Sequence, residues 1–381
     1  MRRAFKRAAT IMKLEFIFLL VIIFTTPLIW NVSKFWHEKI MLTISLLVLG
    51  WLAPLSLLLM LFVATAQWLL WRYGMTRLKR IGFLLSISLP LIPLIVYKLG
   101  QNSDGWILPL GLSYYAFRQI HVAFEYYKGE IKSISLEAYY QYLVFLPVIL
   151  IGPIHRMPEF QRSLRRLKWQ PVLFSEGLER ILYGLVKISF LGNYLFSAKL
   201  IQYAHTLEPS GFKIYVEAVA FTCNAYVQFS GFSDLAIGMS LLWGIRITEN
   251  FNHPFLATNM QDFWQRWHIS LSSWCRDYVF QPLMALSRNR IMALVAAMLV
   301  LSLWHEISIR YILWGSVQAA LIIATVQTRK ALPLFSKFIN GHAIGKWIGR
   351  IWVFNLFTLS SMLIGTESLN SLVITFKQLI R

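Results

Sequence analysis

The sequence predicts an all-α protein that crosses a membrane several times. Of its 381 residues, 57% are hydrophobic and 14% are charged, whereas soluble domains carry about 25% charged residues. Several apolar runs approach the roughly 20 residues that a membrane-spanning helix needs. No polar linker rich in proline, glycine or serine divides the chain, so we predict a single membrane domain over residues 1–381.

The net charge of +20 limits the classes of partner. Lysine and arginine accumulate in the cytoplasmic loops of membrane proteins, where they meet anionic lipid headgroups, so we expect no nucleic-acid partner. Cys223 and Cys275 are too few for a disulfide framework or a zinc site. Because no His-x-x-His pattern or acidic cluster supplies further ligands, we expect no metal and no permanently bound cofactor.

The N-terminal part of the chain alternates between basic and apolar segments. A basic N-terminus precedes an apolar span at 15–30, and no clear cleavage site follows, so we expect a retained anchor rather than a removed signal. The apolar stretch 40–71 holds at least one crossing, and a further span covers 81–97 after four positive charges in residues 72–80. Two basic segments that flank two crossings predict a cytoplasmic N-terminus.

The middle of the chain departs from a simple series of crossings. A fourth span at 108–128 carries Arg118, His121 and Glu125 at helical spacing. We expect His121 to be a hydrogen-bonded partner of the other two rather than a catalyst. The apolar segment 139–151 is short and precedes a run of basic residues, which predicts a re-entrant segment that returns to the cytoplasmic side.

Two later segments mix apolar and polar residues. The segment 173–196 contains four charged side chains, so we expect a packed or interfacial helix rather than one that faces lipid. The segment 215–245 is rich in serine and glycine, which allow helices to approach closely. Within it we expect Asp234 to be paired or to form part of a cavity wall.

Residues 262–278 predict an amphipathic helix with a histidine on its apolar face. On a helical wheel, eight residues fall within an arc of roughly 140°. A lone histidine in such a face is more often a hydrogen-bonded core residue than a functional one. The eight residues are Phe263, Trp264, Trp267, His268, Leu271, Trp274, Cys275 and Tyr278.

A second histidine, His305, changes that balance. At about 1.5 Å per residue, the preceding apolar run places it some 20 Å into a core about 30 Å thick, so that His268 and His305 flank one membrane crossing. A titratable group at that depth is a functional candidate. If the helix is unbroken, Ser302 and Ser308 share the face of His305, and either hydroxyl could fix the tautomer of its ring.

A desolvated neutral histidine is suited to general-base chemistry, in which it takes a proton from a hydroxyl that attacks a carbonyl. No Gly-x-Ser-x-Gly motif predicts a serine nucleophile, and neither cysteine has an evident base partner. Glu306 precedes Arg310 by four residues, which predicts an ion pair rather than a catalytic role. Two other classes remain open: a transporter or channel, and a non-catalytic scaffold of an envelope-modification complex.

Several motifs, in order, resemble the membrane-bound O-acyltransferase (MBOAT) family. The resemblance covers nearly the whole chain and is closest to the bacterial branch that acts in alginate O-acetylation and D-alanyl–teichoic acid transfer. The motifs are Leu108-Pro109-Leu110-Gly111-Leu112-Ser113-Tyr114, Gly152-Pro153-Ile154 with Arg156, Phe229 to Gly238, Glu249-Asn250-Phe251-Asn252, Asp262 to His268, Arg276-Asp277-Tyr278, Trp304-His305 and Trp314-Gly315.

This resemblance implies a ring of about 9–11 tilted transmembrane helices, with re-entrant and interfacial helices, around a central tunnel. It implies transfer of an acetyl or D-alanyl group from a cytoplasmic thioester to a hydroxyl of an extracytoplasmic polymer or glycan. The donor would be acetyl-CoA or an acyl or D-alanyl carrier protein. The protein would be a multi-pass protein of the bacterial plasma membrane that works with an extracytoplasmic partner transferase.

The resemblance also implies roles for individual residues. His305 would be the catalytic base, and His268 would support it or line the donor entrance. Three positions depart from the family pattern. Glu306 replaces a frequent glycine, so the local helix is expected to pack differently, and Gln318 replaces a frequent histidine. A frequent Gly-Gly is missing after residue 278, which favours the D-alanyl type slightly without deciding the donor. The residues expected to bind substrate are Trp304, Trp267, Arg266, Asn252, Ser302 and Asp234.

Overall fold

The computed structural model describes residues 2–74, 79–100 and 111–365. Every regular element in these ranges is helical, which confirms the all-α prediction. Seven helices among the described residues are long and apolar enough to cross a membrane, so the prediction of a multi-pass membrane protein is confirmed as well. The seven are fewer than the 9–11 that the resemblance implied, and the shorter apolar helix Arg290–Leu303 is not among them.

The chain forms two compact units, each made of two separate stretches. One unit comprises Met1–Gly184 and Phe232–Thr248, and the other comprises Leu185–Gly231 and Glu249–Arg381. Neither unit is a continuous segment of the sequence. The single-domain interpretation of residues 1–381 stays a prediction.

Three apolar helices precede the basic residues 72–80. The stretch 40–71 lies in two helices, because Pro54 cannot continue a helix but is favoured in the first turn of the next one. With three helices rather than two, counting crossings no longer supports the predicted N-terminal orientation. The helices are α1 (Arg2–Trp30), α2 (Lys34–Leu52), α3 (Pro54–Leu69) and α4 (Lys79–Gly100), and the π-helical segment Leu70–Gly74 continues α3.

Buried polar side chains of helix α5 (Leu112–Lys128) form hydrogen bonds with the backbone of residues that follow the helix. The predicted span at 108–128 begins outside the described residues, at 108–110. The Arg118 guanidinium donates to the Val148 carbonyl oxygen at 2.6 Å. Nε2 of His121 accepts the backbone N–H of Met157 at 3.0 Å. His121 is therefore hydrogen-bonded to a backbone amide, and the predicted pairing with Arg118 and Glu125 stays a prediction.

The segment 139–151 contains no helix long enough to cross a membrane. Residues 139 and 141–150 are buried, so this irregular backbone is surrounded by protein, which is the condition for non-helical chain at membrane depth. The arrangement agrees with a re-entrant segment, and the side to which it returns stays a prediction. The elements here are α6 (Leu136–Leu143), the 3₁₀ segment Leu146–Val148 and α7 (Met157–Arg165).

The prediction that 173–196 is a packed helix is wrong, whereas an interfacial position stays a prediction. The segment belongs to Pro171–Thr206, which is long and apolar enough to span a membrane and is 22% buried. Its apolar side chains are accessible, with Leu182 exposed by 62% and Val186 by 53%. This helical stretch consists of α8 (Pro171–Val186), the π-helical segment Lys187–Leu200 and α9 (Ile201–Thr206), and α10 (Gly211–Leu242) follows it.

The remaining helices surround the histidine motifs. Gly315 of the second of two neighbouring helices allows a close approach, because a Cβ there would lie 2.9 Å from the Met298 carbonyl oxygen and would overlap the Ser302 hydroxyl. The helices are α11 (Met260–Arg266), α12 (Ile269–Cys275), α13 (Gln281–Ser287), α14 (Arg290–Leu303), α15 (Ile309–Ala331), α16 (Pro333–Gly341) and α17 (Ala343–Gly365), with the 3₁₀ segment Pro254–Leu256 and the π-helical segment Arg276–Phe280.

Candidate active site

The predicted continuous helix over 262–278 is broken at its first histidine. α11 ends at Arg266, and His268 adopts a left-handed conformation, with φ of +46° and ψ of 52°, before α12 begins. The eight residues of the predicted apolar face are nevertheless all buried. The periodicity therefore identified the buried face correctly, although it did not reveal the break.

Backbone hydrogen bonds from a distant loop hold this break in place. The Ile269 N–H donates to the Asn250 carbonyl oxygen at 2.8 Å, and the Asn252 N–H donates to the Arg266 carbonyl oxygen at 3.0 Å. A left-handed non-glycine residue costs about 1–3 kcal/mol and persists where its surroundings enforce it. The two bonds lie on either side of His268 in the sequence and so enforce its conformation.

The side chain of Asn250 determines which nitrogen of His268 carries the proton. Asn250 is fully buried, and its Oδ1 accepts the Ser270 N–H at 3.3 Å and the Ser270 hydroxyl at 2.9 Å. Because a backbone N–H can only donate, the Asn250 atom must be the oxygen. Nδ1 of His268, 3.0 Å from the same oxygen, is therefore the protonated nitrogen.

The other nitrogen of His268 consequently carries a lone pair. Nε2 is buried and has no hydrogen-bond partner among the described residues. Burial and, secondarily, the neighbouring His305 lower the pKa of His268 well below the usual histidine range, so the ring is neutral at physiological pH. His268 lies outside the candidate membrane spans.

Trp304 lies between the two histidines. Its ring centroid is 5.7 Å from that of His268 and 4.5 Å from that of His305, with edge-on geometry in both pairs. The imidazole rings can be no further apart than the sum of these two distances. The prediction that a whole membrane crossing separates the two histidines is therefore wrong, and they form one site.

His305 lies in a turn rather than within a helix. α14 ends at Leu303, and the His305 N–H donates to the Ser302 carbonyl oxygen at 3.0 Å. His305 is exposed at the protein surface, and His268 is the buried member of the pair. The expected desolvation of His305 stays a prediction. Tyr311 stacks near the exposed ring, with centroids 5.7 Å apart.

Neither predicted serine fixes the His305 ring through a described hydrogen bond. The Ser302 hydroxyl donates to the Leu299 carbonyl oxygen at 3.0 Å, and the Ser308 hydroxyl has no hydrogen-bond partner among the described residues. The prediction assumed an unbroken helix, which the turn after Leu303 replaces. The predicted ion pair between Glu306 and Arg310 is confirmed at 3.1 Å, although Glu306 precedes the first residue of α15.

Two of the predicted substrate-binding residues hold the loop that carries His268. Trp267 is 8% exposed, and its ring stacks on Phe263 at 5.5 Å and contacts Phe357 at 4.9 Å. Arg266 donates to the Asp262 carboxylate at 2.8 Å. Neither position contacts the His305 ring in the described interactions. A role of these residues in substrate binding stays a prediction.

The other predicted residues lie in different surroundings. Trp304 and Ser302 belong to the histidine site. The exposed Asn252 donates its backbone N–H to Arg266, and its side chain makes no hydrogen bond to the residues that the structure describes. Asp234 belongs to the other compact unit, where its carboxylate is paired with Arg180 at 3.3 Å. The paired state was one of the two predicted for Asp234.

A polar side chain on α15 connects the motif helices. Gln318 is fully buried; its Oε1 accepts the indole N–H of Trp264 at 3.3 Å, and its Nε2 donates to the Ser360 hydroxyl at 2.7 Å. Gln318 therefore links α11, α15 and α17 behind the histidine site. The sequence comparison had marked this position only as a departure from a frequent histidine.

Asn250 is the residue that sequence reasoning missed. The motif Glu249-Asn250-Phe251-Asn252 contains two asparagines, and the prediction names Asn252 as the binding residue. The available signal was the flanking pattern, since Asn250 lies between the apolar residues Ile247 and Phe251. The two asparagines are distinguished by the contact of Asn250 with His268, which lies eighteen residues later in the sequence.

A sequence model of the membrane-bound O-acyltransferase (MBOAT) family matches residues 35–366. The chain belongs to this family. The resemblance inferred from the motifs is thereby confirmed.

Three curated relatives indicate the range of the match. The chain is 34% identical over 218 residues to "Probable alginate O-acetylase AlgI" of Pseudomonas aeruginosa, covering 55% of this chain and 41% of the relative. It is 29% identical over 265 residues to "Teichoic acid D-alanyltransferase" of Streptococcus thermophilus, covering 64% of each. It is 26% identical over 323 residues to "Peptidoglycan O-acetyltransferase" of Helicobacter pylori, covering 72% of this chain and 60% of the relative. The chain thus spans less than two thirds of each of these relatives.

Proposed function

We propose that this protein transfers an acetyl or D-alanyl group from a thioester to a hydroxyl of a cell-envelope polymer or glycan. One observation carries the proposal: within a chain of this family, a buried neutral histidine and an exposed histidine share the Trp304 ring. The named relatives act on alginate, teichoic acid or peptidoglycan. An envelope polymer is therefore the acceptor class that best fits this chain.

In the proposed mechanism, His305 is the general base. Its exposed ring can reach an acceptor hydroxyl, whereas His268 is buried. A ring nitrogen of His305 takes the hydroxyl proton as the oxygen forms a bond to the thioester carbonyl carbon. The carbon–sulfur bond then breaks, and the imidazolium returns the proton to the leaving thiolate. The products are an oxygen ester and a free thiol.

His268 acts in this proposal as a fixed neutral neighbour of the base. Asn250 holds its proton on Nδ1, so that Nε2 offers a lone pair to a donor group or to the substrate. A neutral ring at this position adds no positive charge beside His305 when His305 becomes protonated. The pair therefore favours transient charge on one histidine only.

The proposed donor is acetyl-CoA or the phosphopantetheine thioester of an acyl or D-alanyl carrier protein, delivered from the cytoplasm. The acceptor lies outside the plasma membrane, where a partner transferase works with the protein. A cytoplasmic N-terminus is proposed from the positive charges in the first residues alone, since the helix count does not support it.

Mass spectrometry of envelope polymers tests the proposal. Cells that carry the wild-type protein, His305→Ala or no protein are compared, with His205→Ala as a control because His205 is an exposed histidine of α9 outside the site. We expect one ester mass, acetyl or alanyl, to be present with the wild-type and His205→Ala proteins and absent with the other two. Identical spectra with the wild type and His305→Ala would reject His305 as the base, and identical spectra without the protein would reject the activity.

A further inference from the structure

The first compact unit contains an open cavity of about 340 Å³. One wall is a face of α7 together with the residue that caps its C-terminus, where Glu159, Arg162, Ser163 and Arg166 recur at helical spacing. The other wall is the irregular segment 245–248 that follows α10. We call this cavity the arginine groove. Its volume is at the lower end of the range for small-molecule sites.

Both walls of the arginine groove are held rigidly. The opposite face of α7 is buried through Met157, Phe160 and Leu164, which directs its polar face towards the groove. α10 ends in a turn at Gly244, where φ is +78°, with the Ile245 N–H bonded to the Ser240 carbonyl oxygen at 2.9 Å. This glycine-dependent helix ending fixes the direction in which residues 245–248 leave the helix.

Some charged side chains of the groove have a hydrogen-bond partner, and others do not form an ion pair with a described residue. Arg246 forms a two-point hydrogen bond with Glu176, at 2.7 and 2.6 Å. Glu159 accepts the Thr248 hydroxyl at 3.4 Å. Arg162 and Arg166 are exposed, and neither makes an ion pair with an acidic side chain in the part of the chain that the structure describes.

Two like charges four residues apart on one helix repel each other. A general bias of cytoplasmic loops towards basic residues explains their presence, but not their placement together in a rigid concave site. Guanidinium groups provide planar pairs of donors that match phosphate oxygens. An anion between the Arg162 and Arg166 side chains would offset the repulsion between their positive charges. It would also accept hydrogen bonds from guanidinium N–H groups that otherwise donate to water.

We propose that the arginine groove binds the phosphate group of a small molecule through Arg162 and Arg166. The inference does not rest on the acyltransferase proposal, because it concerns the other compact unit and is tested by binding alone. The same phosphate chemistry occurs in soluble phosphorylated metabolites and in anionic lipid headgroups. Glu159 is the one acidic side chain that lines the groove in the described residues, and its charge opposes the ligand.

The test is calorimetric titration of the full-length, detergent-purified protein with inorganic pyrophosphate. We expect Arg162→Gln and Arg166→Gln each to weaken binding about tenfold, since each removes a charge-assisted hydrogen bond. Lys168→Gln is the control, because it removes one exposed positive charge two residues beyond Arg166 and outside the groove. Glu159→Gln should strengthen pyrophosphate binding, because it removes the negative charge that opposes the ligand.

Lipid nanodiscs distinguish the two sources of phosphate. If pyrophosphate binds equally in phosphatidylcholine and phosphatidylglycerol nanodiscs, the groove takes a soluble ligand, and if phosphatidylglycerol blocks it, the groove takes a headgroup; both results support the site. The proposal is overturned if pyrophosphate does not bind to the wild type in any of these preparations. It is also overturned if Lys168→Gln weakens binding as much as the two groove variants do.

Discussion

Oδ1 of Asn250 lies 3.0 Å from Nδ1 of His268 and also accepts the Ser270 backbone N–H. This contact orients the imidazole and assigns its proton without a carboxylate. A histidine that is buried, neutral and fixed in one tautomer therefore lies beside an exposed one. The assignment depends on one side chain, so it can be tested directly.

Asn250→Ala should lower the rate of acyl transfer by about 10–100-fold, because the His268 proton loses its acceptor and the ring its orientation. Asn250→Asp keeps the acceptor, so it should retain more activity, but its negative charge raises the pKa of His268. The neutral ring then requires a higher pH, and the acidic limb of the pH–rate profile should move upward. Initial rates across pH 5–9 measure both effects.

Asn252 provides the comparison for this prediction. Its side chain was the predicted binding group, yet it is exposed, and only its backbone N–H is hydrogen-bonded among the described contacts. We expect Asn252→Ala to change the rate less than Asn250→Ala. The opposite order would show that the contact with His268 does not matter for the reaction.

Gly315→Ala should destabilise the protein by about 1–3 kcal/mol, because the new methyl group would overlap Ser302 and force α14 and α15 apart. Thermal unfolding in detergent measures this effect. Gly341→Ala is the matched control, since its Cβ would meet no atom within 4 Å; it should be neutral or slightly stabilising. Equal effects of the two substitutions would argue against close packing at Gly315.

Gln318→Leu should destabilise the protein by about 1–3 kcal/mol, because it leaves the buried Trp264 N–H without its acceptor. If the leucine variant is as stable as the wild type, the hydrogen bonds of Gln318 contribute nothing to stability.

Stability should fall as the pH decreases below about 6.5, the histidine pKa in an unfolded chain. Burial lowers the pKa of His268 in the folded state, so the unfolded chain binds a proton that the folded protein does not, and protonation favours unfolding. His268→Asn removes this contribution and suits the left-handed backbone. Its unfolding temperature should therefore decrease less between pH 7.5 and pH 5.5 than that of the wild type.

The sequence predicted the buried face of 262–278 because helical periodicity persists on both sides of the break. It could not predict the left-handed His268, since that conformation depends on backbone bonds to Asn250 and Asn252 rather than on local preference. For the same reason, His305 was placed a whole crossing away from His268. The end of α14 and the edge-on contacts of Trp304 bring the two together, and neither has a signal in residue spacing.

The helix at Pro171–Thr206 shows the same limit in another form. Glu176 and Arg180 counted against a membrane-facing helix, but their partners, Arg246 and Asp234, are more than fifty residues away in sequence. Once those charges are paired, two of the four charged side chains that counted against a membrane-facing helix are neutralised. A rule that counts charges cannot recognise neutralisation by distant residues.

The left-handed backbone at position 268 makes the imidazole removable. Glycine adopts positive φ without steric cost, so His268→Gly should keep the chain path while emptying the space between Phe229 and Trp304, whose rings contact His268 at 4.6 and 5.7 Å. That space is aromatic on two sides and has the Asn250 oxygen as an acceptor at its end. We expect this space to bind free imidazole from solution, and the bound imidazole would then replace the missing side chain.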